Sequence, residues 1–164
     1  MPTVFDVADY FIVETDRECE GGMNDDVMTH FKVQRLVYFA QGYSLATNGE
    51  PLFEEPIEAW EHGPVCPALY DKYKSYGRTP VDSPRQIDEI KSHFSDLQIQ
   101  VLEKIHEELG CFSSGMLRDI SEEDTSWIDA RARGGDTMTH EEMKESALFW
   151  TLYRDSDEDE EEGN

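Results

Sequence analysis

Apolar residues along this chain recur mostly at helical spacing. Val4, Ala8, Phe11 and Ile12 form one stripe. Thr3 and Asp6 stand in front of it as a capping box, with Asp in the usual place of Glu, and predict a first helix ending near Glu14. Residues 16–27, rich in Asp, Glu, Gly and Asn, read as a loop. Thr29 is placed to cap a second helix reaching Ala46, with Val33, Leu36, Val37, Ala40 and Ser44 on one narrow inward stripe and Asn48-Gly49 as its stop.

The period then changes. Leu52 to Glu61 reads as one or two short strands, limited by Pro51 and Pro56 to an edge or a bulge. The run closes on His62-Gly63-Pro64-Val65, where Gly63 permits a sharp turn and Pro64 suits the first position of a third helix, which uses Val65, Leu69, Tyr73 and Tyr76 and stops at Gly77. Residues 78–84 are a loop. Ile87, Ile90, Phe94, Leu97, Val101, Leu102, Ile105 and Leu109 support one long or two consecutive helices, with a possible break at Ser95-Asp96 and a stop at Gly110. Short helices are expected at 114–121 and 127–133. After Gly134-Gly135 a last helix opens on a better capping box, Thr139 with Glu142, and carries Met143, Ala147 and Trp150 inward.

The expected fold is therefore mainly α: a compact single-domain helical fold with a small hairpin insertion near residues 51–61. Residues 1–154 form the expected domain, and the acidic, apolar-free run 155–164 is expected to be a disordered tail. A chain of 164 residues can bury roughly 70% of its unfolded surface, so one core needs no staple.

Charge narrows the partners. The chain has 37 acidic against 14 basic residues and a formal charge of −23, and without the seven acids of the last ten residues it still has thirty against fourteen. Such a field repels phosphates, so direct nucleic-acid binding is not expected. It suits either a halophilic, high-salt interior or steering of a basic protein partner; phosphate-like spacing of the acids, as DNA mimicry requires, is absent. Cys19, Cys66 and Cys111 are odd in number and far apart, no leader is recognisable, and no run approaches the roughly 18 to 20 apolar residues of a membrane span. A cytoplasmic protein with reduced thiols is expected, with no membrane contact.

Signatures of catalysis are missing, and neither a catalytic residue, a metal site nor a cofactor is expected. His140-Glu141-Glu142 lacks the second His of a zinc-protease motif, the glycine pairs lack a phosphate-loop ending, and adjacent carboxylates are unremarkable in so acidic a chain. A hydrolase built on His62 and a nearby carboxylate is a weaker alternative. Tyr38, Phe39 and Tyr43 on the second helix, with Trp60 and His62 beside the Gly63-Pro64 turn, offer rigid aromatic area for a protein partner or, equally, core packing. Lys32 and Arg35 either neutralise nearby carboxylates or make an ion pair that fixes the second helix against the Trp60 turn.

Two blocks, Lys32-Val33-Gln34-Arg35-Leu36-Val37-Tyr38-Phe39 and Ala59-Trp60-Glu61-His62-Gly63-Pro64-Val65 followed by Tyr70, match in order and spacing a known pattern, and through them the chain from about Val4 to Tyr153 resembles the Panacea antitoxin domain, also described as SocA-like or phage-associated GepA-like. A third block of that family is half present: Leu117, Asp124 and Trp127 match, but Ser121, Glu122 and Ser126 stand where Thr, His and Pro are usual. The resemblance implies an antitoxin that binds a co-encoded, basic toxin and neutralises it, by direct inhibition or by delivery to an AAA+ protease. Lys32, Arg35, Tyr38, Tyr43, Trp60, His62, Gly63 and Pro64 are the candidate partner-binding residues, and no operator binding is expected. A stand-alone phage-associated regulatory or proteolytic adaptor, without a toxin, remains the other reading.

Overall fold

A computed structural model describes residues 1–20 and 28–150. Helix α1 (Val4–Glu20) opens on the expected box: the Thr3 N–H donates to Asp6 Oδ2 at 2.9 Å and the Asp6 N–H to Thr3 Oγ1 at 3.3 Å. It runs past the expected end near Glu14, because residues 15–20 are polar but include no Gly or Pro to break a helix. The rest of the loop expected at 16–27, residues 21–27, lies outside the described residues, as do the expected tail 155–164 and the domain end at 151–154.

Helix α2 (His30–Asn48) is the axis of the fold. Thr29 caps it by accepting from the Lys32 N–H, and Gly49 closes it in the left-handed region at φ 74°. Neighbours surround it: α1, α3 (Pro67–Tyr73), α5 (Asp96–Leu109), α6 (Ser114–Glu122) and the second hairpin strand all touch it. The narrow stripe expected from its apolar spacing is thus a correction. Lys32, Gln34, Arg35, Gln41 and Ser44 are buried along with Val33, Leu36, Val37 and Ala40.

Strand β1 (Glu58–Trp60) pairs antiparallel with β2 (Gly63–Val65), in the register Glu58 to Val65, Ala59 to Pro64 and Trp60 to Gly63. The hairpin therefore spans 58–65, later than the expected 51–61. Pro64 lies in β2 and does not start a helix. That role falls to Pro67, at the start of α3 behind Cys66. The ribbon accepts Pro64 because β2 is an edge strand. Residues 136–138 run along β1, where the Ala59 N–H donates to Asp136 O at 3.3 Å and the Met138 N–H to Ile57 O at 2.9 Å.

A 3₁₀ turn (Lys74–Tyr76) follows α3 and ends at Gly77, and α4 (Ile87–Lys91) precedes α5. Of the two arrangements open for residues 85–109, the broken one is found: Ser95 opens α5 with a capping box to Gln98. Leu97, in the first turn of α5, is 59% exposed. Helix α7 (Thr125–Ala132) follows α6, and a final helix, α8, covers residues 140–150 behind reciprocal Thr139 and Glu142 bonds of 3.1 Å. The fold is mainly α, and none of its described helices is long and apolar enough to cross a membrane.

Candidate partner-binding surface

The hairpin sits where it does because polar side chains of α2 replace backbone partners. Gln41 donates to Phe53 O at 2.9 Å and accepts from the Leu52 N–H at 2.7 Å. Seven residues earlier, Gln34 does the same to one residue, donating to Cys66 O at 3.1 Å and accepting from the Cys66 N–H at 2.8 Å. The segment between Leu52 and Cys66 is therefore tied to α2 at both ends. Arg35 fixes the middle, donating through Nη2 to His62 O and through Nη1 to Phe31 O at 3.3 Å. Burial pushes the Arg35 guanidinium down to about 10, and the nearby Arg118 charge adds to that.

Glu61 and His62 make the turn with ordinary φ, and Gly63 takes φ 114°. A Cβ on Gly63 would meet Arg35 Nη2 and Ser121 Oγ at 3.4 Å, and its backbone would be strained in any L-residue. From the other side α6 and α7 hold the ribbon. Arg118 donates to His62 Nδ1 at 3.0 Å and pairs through Nε with Glu122 at 2.9 Å. A guanidinium has only donors, so Nδ1 is the acceptor and the ring N–H is on Nε2. The Trp127 indole donates to Trp60 O at 2.9 Å, and Arg131 reaches Ala59 O at 3.3 Å.

The eight candidate residues separate into two groups. Lys32, Arg35, Tyr38, Gly63 and Pro64 are buried. Lys32 donates through Nζ to Gly110 O at 2.7 Å, joining α2 to the end of α5. Arg35 does fix the turn, but the bonds that do so go to carbonyl oxygens, where the expectation was an ion pair. The Tyr38 hydroxyl lies 2.7 Å from both Asp124 Oδ2 and Ser126 Oγ, so the first block bonds directly to the partly matched third one. Burial pushes Asp124 up to about 6 against the opposing Tyr38 bond, and burial together with the Asp124 charge holds the Tyr38 phenol well above its ordinary value. Tyr43 is half-buried and stacks on Trp150 of α8 at 5.9 Å, away from the aromatic ring contacts of the hairpin.

Trp60 and His62 reach the surface. His62 is exposed and its close neighbour is a guanidinium, not the carboxylate that a hydrolytic pairing would use. Trp60 is half-buried and meets Tyr70 of α3 at 5.0 Å; Tyr70 in turn meets His30 at 6.2 Å, and His30 lies 4.0 Å from Phe31. Burial and the Arg35 charge hold His30 below its ordinary value. Phe31 is 40% exposed. Ring contacts thus link Trp60 to Phe31 in a ridge of which Trp60, Tyr70 and Phe31 reach the surface, while the connecting His30 is buried. Phe31 was missed because it precedes the apolar stripe, and Gln34 and Gln41 because a glutamine on a helix reads as solvent-facing. The half-buried Trp127 packs against the core. Among the described residues no three His, Cys, Asp or Glu side chains converge as metal ligands, and Cys66 and Cys111 are free thiols.

The family described as "Antitoxin SocA-like, Panacea domain" matches residues 33–128, a span that holds α2 from Val33 onward, the hairpin and the Asp124 contact. Antitoxin SocA of Caulobacter vibrioides (strain NA1000 / CB15N) is 38% identical over 53 residues, which cover 32% of this chain and 28% of that relative. The match thus spans about a quarter of the relative's length. No solved structure matches.

Proposed function

Because the chain belongs to the SocA-like Panacea family of antitoxins, we propose that it is the binding half of a toxin–antitoxin pair, docking a basic toxin encoded beside it over the hairpin and its aromatic ridge. The observation that carries this is the split among the candidate residues. Those under the hairpin are buried and engaged in fixing it, while Phe31, Trp60, Tyr70 and His62 remain on or near the surface with no catalytic grouping among them. Rigid aromatics held on a fixed support make effective contact area, because little side-chain freedom is lost on binding. The charge of −23 gives a basic partner long-range attraction.

Co-expression with the adjacent reading frame tests the proposal through growth rescue and co-purification. Rescue is expected with the native chain and lost with a Phe31→Ala, His62→Ala double variant whose melting is unchanged. Full rescue by that variant would place the contact elsewhere on the molecule. Association is also expected to slow as salt rises from low to physiological strength, the mark of a steered encounter. Whether neutralisation proceeds by occlusion or by delivery to a protease is then read from the toxin's lifetime in the complex: unchanged for occlusion, shortened for delivery.

A further inference from the structure

The aromatic ridge contains one titratable group that the docking role does not use. His30 opens α2 and is 3% exposed, with its ring 4.0 Å from Phe31 and 6.2 Å from Tyr70. Its Nδ1 is shut away from solvent and has no hydrogen-bond partner. The ring thus links the exposed Phe31 to the half-buried Tyr70, and through Tyr70 to Trp60, with no polar bond at that nitrogen.

That place suits a neutral imidazole and not an imidazolium. Both nitrogens of the cation are donors, so protonation leaves a charged, buried Nδ1–H without an acceptor. The surrounding charges oppose the proton as well. Arg35 acts from the same helix, the positive end of the α2 dipole lies at His30 itself, α3 faces the ring with Tyr70, and among the described residues no carboxylate pairs with it. The faces of Phe31 and Tyr70 attract a cation, but they give Nδ1 no acceptor and leave the Arg35 charge in place. Burial first, and the Arg35 charge after it, accordingly hold His30 below its ordinary 6.5. We infer that His30 is an acid-sensitive latch of the docking face: neutral, it fastens Phe31 to Tyr70 and Trp60, and protonated, it leaves its seat and frees them. The inference rests on the docking role proposed above and makes partner release a response to acidification. Its sign follows from the direction of the shift: the stability His30 contributes is present above its unfolded value and is lost as pH falls from there through the lower folded one.

The test follows the ring signals of His30, Phe31 and Tyr70 and the Trp60 indole N–H by nuclear magnetic resonance, as the full chain is taken from about pH 8 to about pH 5. His30 is expected to titrate below its ordinary value, and the other three to move with the same midpoint. In His30→Phe, which keeps a ring but takes no proton, that shared midpoint should vanish; if this variant does not fold, the native titration decides alone. A His30 midpoint at or above the ordinary value would overturn the inference, and so would a His30 that stays neutral across the range, or Phe31, Tyr70 and Trp60 signals that ignore its titration. Toxin binding separates the latch from the docking role. Between about pH 7.5 and about pH 5.5 the native chain should lose about fivefold more affinity than His30→Phe. A toxin held through Phe31 and His62 while the ridge ignores His30 removes the latch alone; a ridge that follows His30 while the toxin is held equally at both pH values removes the docking role.

Discussion

The polar residues of α2 and the aromatic residues of the hairpin face lie within a few residues of one another, yet chemistry divides them. On α2, Lys32, Gln34, Arg35, Tyr38 and Gln41 are buried, and each bonds through at least one polar atom to the chain around it. On the hairpin face Phe31 and His62 are exposed and Trp60 and Tyr70 half-buried, although rings of this size are more often taken into a core. The inversion teaches that polarity does not by itself locate a surface. A buried glutamine that satisfies a backbone N–H and a backbone C=O together substitutes for a strand, and the strand-like segment it holds is freed to carry apolar rings outward.

The largest expected effect lies on the inner side. Gln41→Leu leaves the Leu52 N–H and the Phe53 carbonyl without their partner in a buried place, and each such group costs about 1–3 kcal/mol, so a loss of roughly 3 kcal/mol is expected in denaturant melting. Gln34→Leu should behave alike at the Cys66 end. A change below about 0.5 kcal/mol for both would show that the segment from Leu52 to Cys66 is placed by its apolar contacts, and that the glutamines are passengers.

Tyr38→Phe tests the same side more gently. It removes one hydroxyl from between Asp124 and Ser126 and is expected to cost about 1–2 kcal/mol. Asp124 adds a pH dependence of defined sign. Its folded-state value, about 6, lies above the ordinary 3.8, so the folded chain holds the proton more firmly than the unfolded chain. This contribution is fully present below about pH 4 and is lost as pH rises through 6, amounting to no more than about 3 kcal/mol. Asp6 and Glu142 are shifted down, by bonds with Thr3 and Arg85 and with Arg133 that outweigh burial, so their slopes have the opposite sign. The measurement is accordingly a difference: Asp124→Asn should gain stability relative to the native chain between pH 4 and 7. A flat difference would mean that Asp124 is solvated and that α7 docks by packing alone.

What could be foreseen from sequence follows the same division. Caps were legible because they are local. Thr3 with Asp6, Thr29 and Thr139 with Glu142 each act within one helical turn, and all three are found in their expected places, while Ser95, expected only as part of a possible break, caps α5. The family blocks were legible as a pattern, but not for what each residue does. Arg35 and Tyr38 looked like candidate contacts because charge and phenol are usually displayed; their burial depends on partners at His62, Asp124 and Ser126, between 27 and 88 residues away in the chain. The start of α3 was misplaced by three residues because Pro64 and Pro67 both satisfy the rule for a first helical position, and only the pairing of Pro64 with Ala59 decides between them. Nothing in the spacing of Phe31, Trp60 and Tyr70 announces a ridge, since three separate elements bring them together.

The smallest expected change in stability is the one that sharpens the division most. His62→Ala removes an exposed ring whose Nδ1 accepts from Arg118, but Arg118 keeps Glu122 and the carbonyl that Arg35 holds belongs to the backbone, so the turn retains its main support. Melting should move by no more than about 0.5 kcal/mol. Affinity for the toxin should nevertheless fall about tenfold or more, read as a faster dissociation rate, if the ring lies among the centrally placed contacts. Gly63→Ala provides the counterpart one residue on. It forces a side chain into φ 114° and against Arg35 and Ser121, so it should lower melting and binding together. A His62→Ala chain that loses stability as Gly63→Ala does would put the turn's side chains on the inner side after all, and the outer face would shrink to Phe31, Trp60 and Tyr70.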